Sequence, residues 1–312
     1  MIDSIPVRRF SLLSILLIAL AVSGCGIASS YRPAGEKTIR DYAGGQDYRK
    51  TVGVMALLNN SIFKGDQIPV PFMTSFLDAL ESTADDAVLI VPGKAGVADF
   101  QWRPPRFANG ELDVFAVSRL ARQAGMNAVV SPVLMDLRVR KRDTGLWLFK
   151  DVAYSLQVQV AAVLYDAITG SRLALKILTE EVDIDEDQAR SVRGGQEIVV
   201  DALTDVVGQM GEKLGDRMGA AIKDSQWLTT VSAVTDAVCV IAFGGDAGVA
   251  VGHRFDILDA SKRLTGVDGQ IYIVPGIKIG EIVIRQVSPR EASGEIVSGS
   301  LPPVGSIVVP TN

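Results

Sequence analysis

The sequence has few of the residues from which compact catalytic and metal sites are built. Among 312 residues there is one histidine, His253, and there are two cysteines, Cys25 and Cys239. Nucleophilic catalysis with a histidine base would have to use His253, but "VGHRF" places no serine or cysteine beside it. A structural zinc site needs more cysteine and histidine ligands than the chain holds. We therefore predict no enzyme activity, no catalytic or cofactor-binding residue and no metal, and a structural or solvent-exposed place for His253.

Basic residues are also fewer than acidic residues. The chain has 31 Lys and Arg against 36 Asp and Glu, and its net charge is −5 at pH 7. A protein that binds nucleic acid needs a clustered basic surface, so we predict no nucleic-acid partner. The glycine-rich stretches "PGKAG" (92–96) and "GGDAGVAVG" (244–252) lack the context of nucleotide-binding loops, and we predict turns there. No small-molecule substrate is implied.

Three aspartates at alternate positions, Asp183, Asp185 and Asp187, resemble the start of a calcium loop. The loop would need a glycine where Gln188 stands and a glutamate where Gly194 stands. Because both closing elements are missing, we predict a solvated strand end instead of a cation site.

An apolar run at the N-terminus stops at a cysteine. Residues 10–21 follow Arg8 and Arg9 and are shorter than the ~20 apolar residues that span a bilayer core. The flanks are those of a secretory signal. The boundary then resembles the lipobox of bacterial lipoproteins, and it consists of Val22, Ser23, Gly24 and Cys25.

The lipobox resemblance implies cleavage after Gly24, a diacylglycerol thioether on Cys25 and an acyl group on the new amino terminus. More than one acyl chain gives a stable anchor, where a single chain binds only marginally. Gly26 follows, where an aspartate would signal inner-membrane retention. We therefore expect a lipid anchor at the periplasmic face of the outer membrane. The alternative is an ordinary signal peptide that happens to contain a cysteine.

The rest of the chain divides into three regions that differ in composition and in the periodicity of apolar residues. Residues 25–47 are polar and weakly periodic, and we predict a lipidated tether. Residues 48–225 alternate apolar strands with amphipathic helices, which predicts an α/β domain with a mixed sheet. Residues 226–312 contain many short β runs separated by glycine-rich turns, which predicts a small all-β barrel. Cys239, in "AVCVIAF", is expected to be a small buried apolar residue of one of these strands.

Individual elements follow from periodicity. In the first domain we predict strands at 50–60, 87–92 and 126–141, helices at 69–84, 111–125 and 194–223, and a hairpin that turns around Asp166–Gly170. In the second domain the predicted strands are "TTVSAVT", "VCVIAF", "RFDILDA", "IYIVP", "IKIGEIVIRQV", "SGEIVSG" and "GSIVVP".

These segments also carry a resemblance to known families. "VGVMALLNN", "ARQAGMNAVVSPVL" and "YDAITGSRL" resemble the TolB-amino-terminal-like fold, which is shared by the curli secretion channel lipoprotein and its relatives. "GVAVGHRFDIL" and "GIKIGEIVIRQVSPREASGEIVSG" are similar to the SH3-like domain of the periplasmic flagellar assembly protein T. The shared motifs are structural, so the resemblance implies a fold and an envelope location more than a function.

Four glycines recur on one face of the helix at 194–223, and the apolar face predicted to cover the sheet lies more than a right angle away. An interior glycine costs roughly 0.5–1 kcal/mol relative to alanine, so the row indicates close approach of another backbone. We predict a subunit or partner interface there, with close packing inside the same domain, or simple tolerance, as alternatives. The glycines are Gly208, Gly211, Gly215 and Gly219.

A basic run beside aromatic residues gives a second candidate surface. We predict a loop tip that either is merely solvated or docks on lipid headgroups or on an acidic partner. The candidate residues are Arg138, Arg140, Lys141, Arg142, Trp147 and Phe149.

Together these features predict a non-enzymatic, lipid-anchored periplasmic protein that scaffolds or assembles an envelope machine. The resemblance of the C-terminal region points to a flagellar-motor-associated ring, and protein partners, including further copies in a homo-oligomer or ring, are expected. The alternative is an oligomeric outer-membrane secretion channel like the curli exporter. Such a channel needs strands with an outward apolar band, and the charge in "VLMDLRVRKRD" argues against one.

Overall fold

The computed structural model describes residues 48–61, 68–94, 96–144, 151–194, 201–236, 238–267 and 269–311. These ranges belong to one compact unit. The predicted signal peptide, the lipobox with Cys25 and the tether lie outside the described residues, and so do Trp147 and Phe149.

A six-stranded mixed sheet forms the first part of the fold. Its strands are β1 (Thr51–Val54), β2 (Leu58–Asn59), β3 (Val88–Ile90), β4 (Ala128–Thr144), β5 (Asp151–Asp166) and β6 (Arg172–Ile184). The order is β3-β1-β4-β5-β6, and β2 pairs with β4. The pairs β1–β3, β1–β4 and β2–β4 are parallel, whereas β5 pairs antiparallel with both β4 and β6. The mixed sheet and the hairpin at Gly170, whose φ is +74°, are therefore confirmed.

Helices cover both faces of this sheet. They are α1 (Pro69–Thr83), α2 (Asp99–Trp102), α3 (Val114–Gln123), α4 (Glu186–Arg193) and α5 (Asp201–Asp224). Successive strand residues point to opposite faces: Val130 joins the core under α1, α4 and α5, and Val129 joins the core under α2 and α3. The described part of α5 ends one residue beyond the helix predicted at 194–223, and α4 is an additional short helix.

The glycine face of α5 packs on α1 of the same chain. A Cβ at Gly211 would lie 2.4 Å from the carbonyl oxygen of Phe72, and one at Gly215 would lie 2.4 Å from that of Phe76. A Cβ at Gly219 would lie 2.6 Å from Thr83 Cβ. The predicted subunit interface at Gly208, Gly211, Gly215 and Gly219 is therefore wrong, because α1 already occupies that face. The alternative of close packing inside the domain describes what is found.

The second part of the fold is a closed antiparallel barrel, ordered β12-β13-β8-β7-β14-β9. All seven predicted short strands of this region are present, as β7 (Thr229–Thr235), β8 (Val238–Ile241), β9 (Arg254–Leu258), β11 (Ile271–Ile273), β12 (Lys278–Val287), β13 (Ala292–Gly299) and β14 (Ile307–Pro310). β10 (Arg263–Thr265) pairs with β11 in a separate hairpin. Trp227 and Phe255 are fully buried in the barrel core. The barrel is confirmed, whereas its SH3-like assignment stays a prediction.

Hydrogen bonds of buried side chains join the start of the sheet to α5 and to the residues before the barrel. Asn127, before β4, donates to the carbonyl of Leu228 at 2.8 Å and accepts from the N–H of Thr51 at 2.8 Å. Lys50 donates from Nζ to the carbonyls of Ile222 and Lys223, at 2.6 and 3.0 Å. It thereby adds a donor to carbonyls of the last turn of α5, where the regular helical hydrogen bonds end. The division into separate domains at residues 225 and 226 stays a prediction.

The packing of α5 on α1 predicts opposite outcomes for two glycines of one helix. Gly215→Ala should destabilise the fold by about 1–3 kcal/mol, because the added methyl meets backbone. Gly208→Ala should be neutral or stabilising, because its Cβ would meet only Ser75 Oγ at 3.4 Å and alanine favours helix. Thermal unfolding followed by circular dichroism measures both. Equal melting temperatures for the two variants would contradict this packing.

Candidate interaction surface

The basic run lies on a strand and not at a loop tip. Arg138, Arg140, Lys141 and Arg142 belong to β4, which pairs with β5 as far as Thr144 and Asp151. The loop-tip prediction is wrong because residues 137–140 alternate apolar with basic side chains, which is the period of a strand with one buried face.

We call the outer part of the three antiparallel strands the arm: residues 136–144 of β4, 151–159 of β5 and 179–184 of β6. Pairing is continuous through it, and at one level Arg138 lies opposite Gln157, which lies opposite Glu181. A bulge between Leu134 and Asp136 separates the arm from the rest of β4. The arm is therefore a three-stranded extension of the sheet.

One face of the arm is packed. Leu137 on β4, Leu156 on β5 and Val182 on β6 are buried together with Ala189 and Val192 of α4. The guanidinium of Arg193 lies 5.6 Å from the centre of the Tyr154 ring. β5 alternates apolar Leu156, Val158 and Val160 with polar Gln157 and Gln159, because one of its faces lies under the helices and the other does not.

The opposite face, which we call the polar face, is ordered by charge. β4 contributes basic residues, β5 contributes amides and a hydroxyl, and β6 contributes acids. Lys141 does not belong to it, since it pairs with Tyr154 and follows the alternation of the packed face. The members are Arg138, Arg140 and Arg142 with Asp136 on β4, Ser155, Gln157 and Gln159 on β5, and Thr179, Glu181 and Asp183 on β6.

Hydrogen bonds run across the polar face from strand to strand. Arg140 donates to Gln157 Oε1, with Nη2 at 2.9 Å. Gln157 Nε2 donates in turn to Glu181 Oε1 at 3.1 Å, and the hydroxyl of Ser155 donates to Glu181 Oε2 at 3.3 Å. Arg138 forms an ion pair with Asp136. The exposed Arg140 and Glu181 are therefore both held by the half-buried Gln157, which suits recognition of another charged surface.

The acidic stretch after β6 is a strand end followed by a helix start. Val182 and Ile184 are buried and Asp183 is exposed, as predicted. Asp185 accepts a hydrogen bond from the N–H of Gln188 at 2.7 Å, and the Gln188 side chain accepts from the N–H of Asp185 at 3.0 Å. This capping box, which the prediction missed, was readable as Asp-x-x-Gln. Among the described residues no group of His, Cys, Asp and Glu is arranged to hold a metal ion.

Neither His253 nor Cys239 lies in a reactive setting. The hydroxyl of Tyr48 lies 2.9 Å from His253 Nδ1, and the N–H of Ala250 donates to the same nitrogen at 3.3 Å. Cys239 is buried in the barrel, and that burial raises the pKa of its thiol to about 11. The prediction of a small buried residue in a strand is confirmed for Cys239, and His253 has a structural role at the N-terminal segment.

A cleft of about 590 Å³ lies between α3 and the barrel. Arg122 and Arg263 line it together with Asp259. Arg122 donates to the carbonyl of Ile168 at 3.1 Å, and burial lowers its pKa. Hydrogen bonds from Ser261 lower the pKa of Asp259, which keeps it a carboxylate. Arg122 and Asp259 therefore hold loops that form the cleft.

Comparison with known proteins gives weak structural likenesses. No family model matches the chain, and no curated protein matches it. Among solved structures, a lipoprotein from Neisseria meningitidis is 17% identical with a TM-score of 0.27, over 52% of this chain and 97% of that one. The PelC dodecamer from Paraburkholderia phytofirmans is 16% identical with a TM-score of 0.30, over 57% and 91%. A minor lipoprotein from Acinetobacter baumannii is 9% identical with a TM-score of 0.28, over 55% and 93%.

These neighbours include bacterial lipoproteins, but TM-scores near 0.3 do not assign a family or a function to this chain. The resemblances to the TolB-amino-terminal-like fold and to flagellar assembly protein T stay predictions. None of the helices in the described ranges has the length and hydropathy to cross a membrane.

The two faces of the arm should differ in their contribution to stability. Arg140→Gln and Glu181→Gln should each change the free energy of unfolding by less than about 1 kcal/mol, because exposed ion pairs and hydrogen bonds contribute little. Leu156→Ala on the packed face should cost about 2–5 kcal/mol. Urea unfolding of the three variants measures the difference. If Arg140→Gln lowered the free energy of unfolding as much as Leu156→Ala does, the polar face would contribute to folding and not to recognition.

Proposed function

We propose that this protein is a non-enzymatic, lipid-anchored scaffold of the bacterial envelope, which holds protein partners through its arm. The observation that carries the proposal is the polar face. Basic, amide and acidic side chains stand in separate columns there and are linked by hydrogen bonds; the arginines and the acids of β6 are exposed, and the amides between them are half-buried. Charges arranged in this way guide and orient the association of proteins.

Two buried ionisable groups, Lys50 and Asp166, support a non-enzymatic role because both form hydrogen bonds that stabilise the fold. Burial lowers the pKa of Lys50, which caps α5. Burial raises the pKa of Asp166, whose carboxylate accepts from the N–H groups of Ile168 and Thr169 in the hairpin turn. Both groups are engaged in hydrogen bonds that hold a helix end or a turn.

The proposed anchor is the diacylglycerol and the N-acyl group on Cys25, and the proposed location is the periplasmic face of the outer membrane. The lipobox supports both. The chain enters the described fold at Tyr48, whose ring lies 4.8 Å from that of Trp227 and 5.5 Å from that of Phe255. The first described residue therefore packs against the barrel core and not against the arm.

The proposal also concerns which envelope assembly the protein belongs to. A flagellar-motor-associated ring is favoured through the resemblance of the C-terminal region, and crosslinking in intact cells followed by mass spectrometry would identify the neighbours. The exporter-like channel is less well supported, because one face of the arm is charged and the other lies under α4. Conductance of the purified protein in planar bilayers would favour the channel.

The proposed anchor predicts that the mature protein has one free thiol although the sequence has two cysteines. Unfolded mature protein should react with one equivalent of a thiol reagent, at Cys239, because Cys25 would be a thioether. Mass spectrometry of the amino-terminal peptide should show the acyl groups. Cys25→Ser should release the protein from the membrane fraction without changing its melting temperature.

Cys239→Ser is the matched control, since it removes the other cysteine and should leave the protein in the membrane fraction. Two reactive thiols in the mature chain, or an amino terminus without acyl groups, would contradict the proposed anchor.

A further inference from the structure

Among the strands that the structure describes, none pairs with either outer edge of the arm. On the side away from β5, β4 pairs with β1 through residues 128–130 and with β2 through Val133 and Leu134. From Asp136 onward no other strand of the described ranges lies along that edge, and β6 has β5 as its strand neighbour there. Unpaired edges present rows of N–H and C=O groups to which another strand can add.

The two edges carry opposite charge on the same face. Arg138, Arg140 and Arg142 line the β4 edge, and Glu181 and Asp183 line the β6 edge. The pairing register places Arg138 level with Glu181, and Arg140 level with Asp183, across the intervening strand. The basic row and the acidic row therefore have the same height and the same two-residue spacing.

We propose that the β4 edge of one copy of this protein pairs with the β6 edge of the next copy. The neighbouring strands would lie about 4.8 Å apart. Glu181 would then face Arg138 of the next copy, and Asp183 would face its Arg140, with every charge on the polar face of a continuous sheet. Main-chain hydrogen bonds supply the attraction, and the charged rows set the register.

The strand directions determine the symmetry of this contact. β4 and β6 of one copy both run antiparallel to β5, so they run in the same direction, and β6 meets the next β4 in parallel. Each copy thus uses two different surfaces, which is a head-to-tail contact that produces a ring when the rotation closes. Two-fold pairing of like edges is disfavoured, because it would place acids opposite acids or arginines opposite arginines.

The contact goes beyond the proposed function, since it needs neither the lipid nor a partner protein. Its test uses the full chain in detergent, with native mass spectrometry to count the copies. We expect an assembly of three or more copies that loosens as salt is added. The variant with Glu181→Lys and Asp183→Lys has two basic edges, and the variant with Arg138→Glu and Arg140→Glu has two acidic edges. Each alone should associate more weakly by on the order of 100-fold.

Mixing the two variants should restore assembly, because the altered β6 edge of one then matches the altered β4 edge of the other. This rescue separates a lost contact from a lost fold. The control variant, Glu111→Lys with Arg119→Glu, reverses exposed charges away from the arm and should assemble normally. A monomeric or dimeric native chain, unchanged assembly of the edge variants, or mixtures that stay apart would each overturn the proposal, whatever the fate of the lipid anchor.

Discussion

The pairing of β4 with β5 supports both the centre of the sheet and the arm. One register runs from Ala128 and Asp166 at the inner end to Thr144 and Asp151 at the outer end, with one bulge. At the inner end β4 also pairs with β1 and β2, and helices cover both faces. Beyond the bulge these partners end, and the arm contacts α4 and, through the ion pair of Lys213 with Glu180, α5. The strand that builds the core therefore also carries the exposed polar face.

Close approach of α5 and α1 determines how the inner part is covered. The glycines of α5 let its backbone contact the carbonyls of Phe72 and Phe76, while Leu203, Met210 and Leu214 on the same helix remain in the main core. A larger side chain at these glycines would move α1 away from the sheet. The energetic penalty of glycine in a helix is offset here by packing within the chain and not by assembly.

The predictions succeeded where the pattern was local and failed where it depended on a neighbour. Short β runs between glycine-rich turns identified seven strands of the C-terminal region, and helical periodicity at residues 69–84 identified α1, because these signals depend on residues close together in sequence. The row of glycines correctly indicated a close backbone, but spacing alone does not identify which backbone. The basic run was assigned to a loop because its charge masked the alternation with Leu137 and Val139.

The sequence by itself determined most of the helices and strands, the shortage of histidine and cysteine, and the likeness of residues 22–25 to a lipobox, since each depends on composition or on residues close together in sequence. Tertiary structure alone decided that α1 covers the glycines and that Arg138, Gln157 and Glu181 share one level of the sheet. Those three residues are distant along the chain, and only the register of two hairpins brings them into line. The surface that we propose for assembly therefore arises from strand pairing, which no single segment encodes.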